Sequence, residues 1–227
     1  MARHTASVDK RFQSPGPQPN GLQAAEDGLW VIDQVNLKAH KLDYETGETL
    51  HEIDTDTEHS SGITVGDGGL WIASTYQLEI VKVDPETGET MARYPDPGRG
   101  ITVGRELIGD TKESGAHGLE YRDGKIYVAS PPTQRVHVMD VKTWEEVATF
   151  PSAGLRAHGV GWGDNGMLWV SDTSAGVVML MDTENDGRIY DVFRVDEPDE
   201  VHGLTVRDNG EFWYCDAQPR DIGVLVR

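Results

Sequence analysis

Short runs in which apolar and polar residues alternate recur along the whole chain, and turn sequences separate them. The clearest example is AHGVGWGDNGMLWVSD, at 157–172. Its alternation predicts two short strands, at 158–162 and 167–172, joined by a tight Asp-Asn-Gly turn. In an antiparallel hairpin of this length, His158 and Asp172 are expected opposite one another at the open end.

The same hairpin returns at 201–216, where His202 and Asp216 take the equivalent places, and three looser copies lie upstream. A glycine after the strand-opening residue marks each copy. The five opening pairs are Asn20-Gly21, Ser61-Gly62, His117-Gly118, His158-Gly159 and His202-Gly203. Successive pairs are 41, 56, 41 and 44 residues apart. Repeats of this length that contain several short strands are typical of β-propellers.

Each repeat carries signals for the same succession of strands. A glycine-containing turn closes the first hairpin, and the second strand carries one aromatic residue that is expected to pack between neighbouring sheets. These aromatic residues are Trp30, Trp71, Tyr127, Trp169 and Trp213. Third and fourth strands follow, joined in the first two repeats by the turns DYETGET and DPETGET, where Asp43 and Asp84 cap the turn and Gly47 and Gly88 take positive φ.

The ends of the chain predict how the repeats close into a ring. The fifth repeat reaches the C-terminus with a third strand at 223–227 and no fourth, whereas residues 5–12 precede the first repeat with no partner of their own. Pairing these two edges gives an all-β, five-bladed propeller of four-stranded blades, with residues 1–227 as one domain. We expect the long segment at 95–115 to be an insertion that forms a lid. A six-bladed alternative, with that segment as a degenerate blade, lacks the aromatic second strand.

The strand-opening residues are the candidate site, because in a propeller the innermost strands all start at one end of the central channel. The expected ring is Asn20, Ser61, His117, His158 and His202, faced across the hairpins by Asp33, Ser74, Ser130, Asp172 and Asp216. Three imidazoles that converge on one axis have the composition of a metal site, and carboxylates behind them can fix ring tautomers or transfer protons. Asn20 and Ser61 add weak oxygen ligands. The alternative is structural: each histidine bonds the neighbouring hairpin, and each Asp or Ser caps a loop.

The variation of the opening residue favours a functional role for the histidines. Two repeats have Asn20 or Ser61 there and keep the following glycine, so the fold does not require histidine. The remaining histidines are predicted on outer strands or loops; they are His4, His40, His51, His59 and His137. Of these, His59 lies two residues before Ser61 and is within reach of the mouth. Cys215 alternates to the other face of its strand from Asp216 and is predicted to be a small buried residue.

The chain has 227 residues and a net charge of −19, from 39 acidic and 20 basic side chains. An electric field of that sign repels nucleic acid and anionic lipid surfaces. We interpret the excess of acidic side chains as a well-solvated surface; the alternative is that they bind a cationic ligand. No apolar run has signal-peptide or membrane-spanning length, and the one cysteine cannot form an internal disulfide. We therefore predict a cytoplasmic monomer that acts on a small molecule, whose anionic group would meet Arg99 and Arg105 of the insertion.

The pattern of HG, an aspartate-glycine turn and LW resembles that of the virginiamycin B lyases, or streptogramin lyases, and more distantly that of the SMP-30/gluconolactonase and NHL-repeat propellers. The resemblance implies a histidine that opens an inner strand and acts with a carboxylate closing the next strand, beside a bound magnesium ion, to open a cyclic depsipeptide by elimination. The matching pairs are His158 with Asp172 and His202 with Asp216, with Asp where that family has Glu.

Two classes of function follow. The first is a metal-dependent lyase or hydrolase, with one divalent metal ion held by His117, His158 and His202. Asp172, Asp216 or an unligated histidine would move the proton. A transition metal suits three imidazoles, the resemblance implies magnesium, and an oxygenase or isomerase on the same site belongs to this class. The second class is a non-catalytic propeller that binds a peptide or protein on the same face.

Overall fold

The structure is a computed structural model that describes residues 5–101, 113–152, 154–163, 165–195 and 200–227. All regular secondary structure in these ranges is β-strand. The twenty strands are β1 Thr5–Gln13, β2 Pro19–Ala25, β3 Gly28–Asp33, β4 Lys38–Leu42, β5 Thr49–Asp54, β6 Ser60–Gly66, β7 Gly69–Ser74, β8 Glu79–Val83, β9 Thr90–Pro95, β10 Leu119–Arg122, β11 Lys125–Ser130, β12 Arg135–Asp140, β13 Glu146–Pro151, β14 Ala157–Trp162, β15 Leu168–Asp172, β16 Val177–Asp182, β17 Arg188–Val195, β18 Gly203–Val206, β19 Phe212–Cys215 and β20 Asp221–Val226. None of the described residues forms a helix long and apolar enough to cross a membrane.

Twelve of the strands form three four-stranded antiparallel sheets, β2 to β5, β6 to β9 and β10 to β13, each in chain order. The other eight form one sheet in the order β14-β15-β16-β17-β1-β20-β19-β18. This larger sheet divides at β1, which pairs antiparallel with β20 and touches β17 in parallel, where Thr5 lies opposite Arg194 and Ala6 opposite Val195. The pairing of β1 with β20 confirms that the two ends of the chain pair as predicted.

The turns adopt the conformations that their residues predict. In the hairpin turn of the second repeat, Asp67 and Gly68 have φ of 48° and 72°, as a type I′ turn requires. Between the third and fourth strands of the first repeat, Asp43 accepts two backbone N–H groups at 2.9 and 2.8 Å, and Gly47 has φ of 71°. These hydrogen bonds stabilise the carboxylate and lower the pKa of Asp43.

Apolar clusters fill the spaces between adjacent sheets. One cluster joins Trp71 of the second repeat to Leu119 of the third, and another joins Leu29 of the first repeat to Trp213 of the last. The predicted aromatic residues are buried in these clusters, apart from Tyr127, which packs at the edge of one. Because the apolar surface is buried between the sheets, each sheet is stabilised by both of its neighbours.

The glycine after each opening residue lies where the inner strands of adjacent sheets come closest. A Cβ at Gly62 would overlap the carbonyl oxygen of His117, and a Cβ at Gly118 would overlap that of His158. Gly203 of the last repeat faces the backbone of the first repeat in the same way, so these contacts connect the last repeat to the first. Since no other residue allows this approach, the glycine is fixed whichever residue precedes it.

The hairpin register corrects the expectation that His158 faces Asp172. Asp172 lies opposite Ala157, and a β-bulge between Ala157 and Val160 takes up the offset. A bulge adds one residue to one strand and re-aims the side chains there, which simple counting across a turn does not reveal. The same irregularity occurs near the start of β2 and of β6, whereas the described pairings of β10 with β11 and of β18 with β19 are regular.

Candidate functional site

The five strand-opening residues lie together at one end of the channel. Asn20 Nδ2 lies 3.1 Å from Ser61 Oγ, the rings of His117 and His158 have centroids 4.2 Å apart, and those of His158 and His202 are 5.3 Å apart. Asn20, Ser61 and His202 also line a cavity of about 10 Å³, room for about one water molecule. We call His117, His158 and His202 the histidine arc, and Asn20 and Ser61 the polar arc.

The polar arc is tied by hydrogen bonds to residues of the fold. Asn20 Nδ2 donates to Gln34 Oε1 at 2.9 Å and to Ser61 Oγ at 3.1 Å. Ser61 Oγ lies 2.8 Å from Thr75 Oγ1, which donates to the carbonyl oxygen of Ala116 at 2.9 Å. The chain of bonds therefore runs from the first repeat to the residue immediately before the histidine arc.

Backbone carbonyl groups fix the tautomer of two arc histidines. His158 Nδ1 lies 3.0 Å from the carbonyl oxygen of Arg156, and His202 Nδ1 lies 3.2 Å from that of Glu200. A carbonyl oxygen only accepts hydrogen bonds, so each Nδ1 carries the proton. In the neutral ring the lone pair is then at Nε2, the atom that can take a proton or bind a metal ion.

Both of these histidines are held neutral near pH 7. His158 is 3% exposed; burial lowers the pKa of its imidazole well below the ordinary value, and nearby His117 and His202 lower it further. Burial also lowers the pKa of His202, against the opposing effect of the Glu200 and Asp216 carboxylates. An uncharged imidazole can accept a proton, so the arc has the protonation state of a base.

Two charged residues that sequence reasoning missed stand beside His202. Glu200 Oε2 lies 3.2 Å from His202 Nε2, and Arg156 Nη1 lies 3.8 Å from the same carboxylate oxygen. Their side chains are 45% and 43% exposed, against 11% for His202, so they form the solvent-facing side of the arc. A signal was present: each lies two residues before a ring histidine, and the repeat alignment therefore places both at the mouth.

The strand-closing residues bind the backbone of loops. Asp172 accepts two backbone N–H groups at 2.9 and 2.8 Å, and Asp216 accepts two at 2.7 and 3.0 Å. Asp33 accepts three, and Ser74 Oγ accepts one. Ser130 Oγ is buried and makes no hydrogen bond within the described residues. These bonds favour the loop-capping interpretation, and a part for Asp172 and Asp216 in proton transfer stays a prediction.

The predicted metal ion also stays a prediction. In the described part of the chain, no group of three or more His, Cys, Asp or Glu side chains is arranged to hold a metal ion. The rings of His158 and His202 meet nearly edge to face, at 87°. As placed, the three imidazoles do not fit one divalent ion, although two of them have the tautomer that ligation requires.

The insertion is described at its two ends. Arg99 is exposed, and its backbone N–H donates to the carbonyl oxygen of Asp96 at 3.1 Å. Arg105 and most of the predicted lid lie outside the described residues, so the lid stays a prediction.

The other residues considered from the sequence do not belong to the ring, although His59 lies two residues before Ser61, the position equivalent to that of Arg156 and Glu200. His40 and His137 are buried on β4 and β12, while His4 lies outside the described residues. His59 stacks on Tyr76 with ring centroids 4.0 Å apart. Cys215 is fully buried and burial raises the pKa of its thiol, as expected of a small core residue.

The fold and this site describe a β-propeller with a histidine-lined channel mouth, and solved structures support the propeller. No protein family and no curated protein sequence matches the chain. Among solved structures, the glutaminyl cyclase of Myxococcus xanthus is similar, with a TM-score of 0.74 at 9% sequence identity. The alignment covers 98% of this chain and 97% of that one.

Streptogramin lyases are similar as well. The virginiamycin B lyase of Staphylococcus aureus has a TM-score of 0.56 at 16% identity, over 92% of this chain and 66% of that one. A catalytically inactive histidine-to-alanine variant of it, with quinupristin, aligns at 17% identity. A streptogramin B lyase aligns over 96% of both chains, with a TM-score of 0.58 at 15% identity. The resemblance identified in the repeats is thus confirmed in the structure, and identities this low establish the fold alone.

Proposed function

We propose that the protein is an enzyme that moves a proton on a small-molecule substrate at the channel mouth, as a lyase (elimination) or a hydrolase. The observation that carries the proposal is the pair formed by His202 and Glu200, in which the Nε2 of a neutral imidazole lies 3.2 Å from a half-exposed carboxylate. Imidazole is the commonest general base in enzymes. The names of two structural neighbours, glutaminyl cyclase and streptogramin B lyase, support an enzyme over a scaffold.

In this proposal His202 is the base and Glu200 stabilises the imidazolium that forms. The proton leaves a carbon next to a carbonyl group in an elimination, or a water molecule in a hydrolysis, and binds to His202 Nε2. In the elimination the released electron pair forms a double bond as the leaving group departs. In the hydrolysis the oxygen of the deprotonated water bonds to the carbonyl carbon, and the bond from that carbon to the leaving group breaks. The new Nε2–H donates to Glu200 Oε2, while Nδ1–H keeps its bond to the Glu200 carbonyl oxygen. The positive ring is then bonded on both sides.

Arg156 is the cation that would meet the substrate. Its guanidinium is half exposed and lies 3.8 Å from Glu200 Oε2, a pair that contributes little to stability. A guanidinium in this position can bind a carbonyl or carboxylate oxygen and stabilise negative charge as it develops. The role proposed from the sequence for Arg99 and Arg105, contact with an anionic group, is compatible with this one.

The five-bladed architecture belongs to the same proposal. Three sheets of four strands, together with the two halves of the eight-stranded sheet on either side of the β1–β17 contact, give five groups of four. The glycine contacts between inner strands pass through five steps before they return to the first repeat. Five blades place the opening residue of each repeat around one axis.

A metal-dependent version of the reaction is the second candidate. The observation that favours it is the tautomer of His158 and His202, with the lone pair on Nε2; the Nε2 of His202 already faces Glu200 Oε2 at 3.2 Å, a second group able to bind a metal ion. Elemental analysis of protein purified without a histidine tag separates the two candidates. About one equivalent of manganese, iron, zinc or nickel, lost in His117→Ala, supports the metal; a trace amount supports the metal-free base.

Turnover of two compounds tests the proposed function. An N-terminal glutaminyl peptide and quinupristin are chosen from the neighbours' names, and loss of each is followed by mass spectrometry. We expect His202→Gln to lower kcat/KM by roughly 10²–10⁴-fold. Glu200→Gln should lower kcat, and Arg156→Ala should chiefly raise KM.

His40→Gln is the matched control, because His40 also lies 3.0 Å from a glutamate, Glu52, but on the outer strands. It should leave turnover unchanged. Equal turnover in all four variants contradicts the proposal. If the wild type converts neither compound yet binds one of them tightly, the binding-scaffold alternative takes its place.

A further inference from the structure

Asp96, the residue after β9, has a buried carboxylate that the proposed reaction does not use. The residue is 3% exposed. Its Oδ1 accepts the N–H of Gly98 at 2.6 Å, and its Oδ2 accepts the N–H of Ala116. Its own N–H donates to the carbonyl oxygen of Leu78 at 3.0 Å, which anchors it to the second repeat. The carboxylate therefore joins the start of the insertion to the residue immediately before His117.

In three other repeats the strand-closing aspartate makes an equivalent contact. Asp33, Asp172 and Asp216 each accept the N–H of the residue two positions before the ring residue, at 2.5, 2.9 and 2.7 Å. In the third repeat the closing residue is Ser130, whose short hydroxyl makes no hydrogen bond within the described residues. The third repeat thus lacks a cap of its own.

Where the carboxylate of a capping aspartate lies close to the backbone, the residue beneath it is a glycine. A Cβ at Gly16 would overlap the carboxylate of Asp33, and a Cβ at Gly154 would overlap that of Asp172. In the third repeat the glycine at the equivalent place is Gly98, where a Cβ would overlap the Ser130 hydroxyl, while a Cβ at Gly115, two residues before His117, would overlap the carboxylate of Asp96. Asp96 therefore binds, from the preceding repeat, the residue immediately before the ring histidine, next to the position that the closing aspartate binds elsewhere.

The segment before His117 is held from its other side as well. Gly115 N–H donates to the carbonyl oxygen of Thr75 at 2.9 Å, and Thr75 Oγ1 donates to the carbonyl oxygen of Ala116 at 2.9 Å. The two peptide groups before His117 are thus fixed by Thr75 and Asp96 together. A substitution of Asp96 should therefore displace His117 first. The ring of His158 should move next, because its centroid is 4.2 Å from that of His117.

We propose that Asp96 is a positioning residue for the histidine arc: it replaces the missing cap of the third repeat and sets the place of His117 against His158. Its importance for turnover rests on the proposed function; its effect on the imidazoles does not. Without this acceptor, two buried N–H groups lose their partner and the segment relaxes. Displacements of about 1 Å in a site can lower turnover by roughly 10²-fold.

The test compares Asp96→Asn with Asp84→Asn in the full-length protein. Asp84 also accepts two backbone N–H groups, but on an exposed turn. Histidine C2 proton resonances and their pH titrations are recorded, and kcat and KM are measured for whichever compound the wild type converts. We expect Asp96→Asn to move the resonances of His117 and His158 and to lower kcat roughly 10-fold or more with little change in KM. Asp84→Asn should change neither.

A second variant tests the proposal even if Asp96→Asn alone fails to fold. Ser130→Asp, added to Asp96→Asn, gives the third repeat its own closing aspartate and should restore the fold and both resonances at least in part. If Asp96→Asn leaves both resonances unchanged, or if it unfolds and Ser130→Asp restores nothing, the proposal is overturned. If the resonances move and turnover does not, Asp96 positions the arc and the proposed catalytic role of the arc is wrong.

Discussion

The two arcs of the channel mouth occupy the same place in the repeat but differ in chemistry. In the polar arc, Asn20 donates hydrogen bonds to Ser61 and to Gln34. In the histidine arc, the rings of His158 and His202 contact each other and use Nδ1 to bond the backbone, and the Nε2 of His202 faces Glu200 at 3.2 Å. The glycine that follows is present in both arcs.

This difference separates what the fold requires from what it tolerates. The contact between inner strands requires the glycine, as at Gly62 in the polar arc and Gly118 in the histidine arc. The residue before the glycine is free to vary. Three neighbouring imidazoles at a freely variable position, two of them with a lowered pKa, are therefore consistent with the proposed chemistry at the mouth.

Loss of β1 should have the largest effect, because β1 completes the repeat of His202 at its junction with the first repeat. Deleting residues 1–14 leaves β20 without its neighbour and exposes apolar surface around Phe12 and Trp213. We expect several kcal/mol to be lost from a typical total of ~5–15 kcal/mol. Urea unfolding measures the change, and a melting temperature within about 2 °C of the parent contradicts the closure.

Substitution of the glycine after the opening residue should lower the free energy of unfolding by a similar amount in the two arcs. Gly62→Ala and Gly118→Ala each force a Cβ onto a carbonyl oxygen of the next repeat, and each should lower the free energy of unfolding by about 1–3 kcal/mol or more. Gly68→Ala, at φ of 72° with open space around it, is the control and should cost about 1 kcal/mol. A large effect at Gly62 with none at Gly118 would show that the histidine arc is not held by the same contacts.

One layer below the ring, Glu120 distinguishes the histidine arc from the polar arc again. The equivalent residues of the first two repeats, Gln23 and Thr64, are neutral and bond each other at 2.6 Å. Glu120 is 6% exposed, and burial raises its pKa to about 8 despite a hydrogen bond from Gln23. The folded protein therefore retains a proton that the unfolded chain releases near its ordinary value of 4.5.

Stability should consequently fall as pH rises from about 4.5 to about 8, by up to about 1.4 kcal/mol per pH unit from this group. In Glu120→Gln this part of the pH dependence disappears, so the variant gains stability over the wild type as pH increases. Urea unfolding at several pH values measures the slope. Parallel curves for the two proteins would mean that Glu120 is ionised in the folded state.

Much of the fold follows from local sequence chemistry. The turn around Asp43 and Gly47, the buried aromatic residues and the edge pairing of β1 each depend on residues close in sequence or on an edge that must be covered. The bulge after Ala157 could not be predicted from the sequence, because a bulge changes the strand register without changing the alternation of apolar and polar residues. A counting argument across the turn therefore placed His158 opposite the wrong residue.

The candidate site was predictable in its ring and not in its surroundings. Repeat alignment found the arc histidines, and the same alignment applied two residues earlier points to Glu200 and Arg156. The capping bonds of Asp172 depend on loop conformations that no spacing reveals. The contact of Asp96 could not be predicted from the sequence for another reason. Asp96 lies at the end of the second repeat but bonds the third, and only the tertiary structure brings the two together.

Histidine titration by NMR in the intact protein is the measurement that tests the central claim most directly, namely that the histidine arc is a set of neutral bases. Resonances of His158 and His202 are assigned by their loss in His158→Gln and His202→Gln. Burial should place both midpoints below the ordinary value of 6.5, with that of His158 well below it. Midpoints at or above 6.5 would mean that burial does not favour the neutral form of these imidazoles, and the account of the mouth as a set of buried neutral bases would be contradicted.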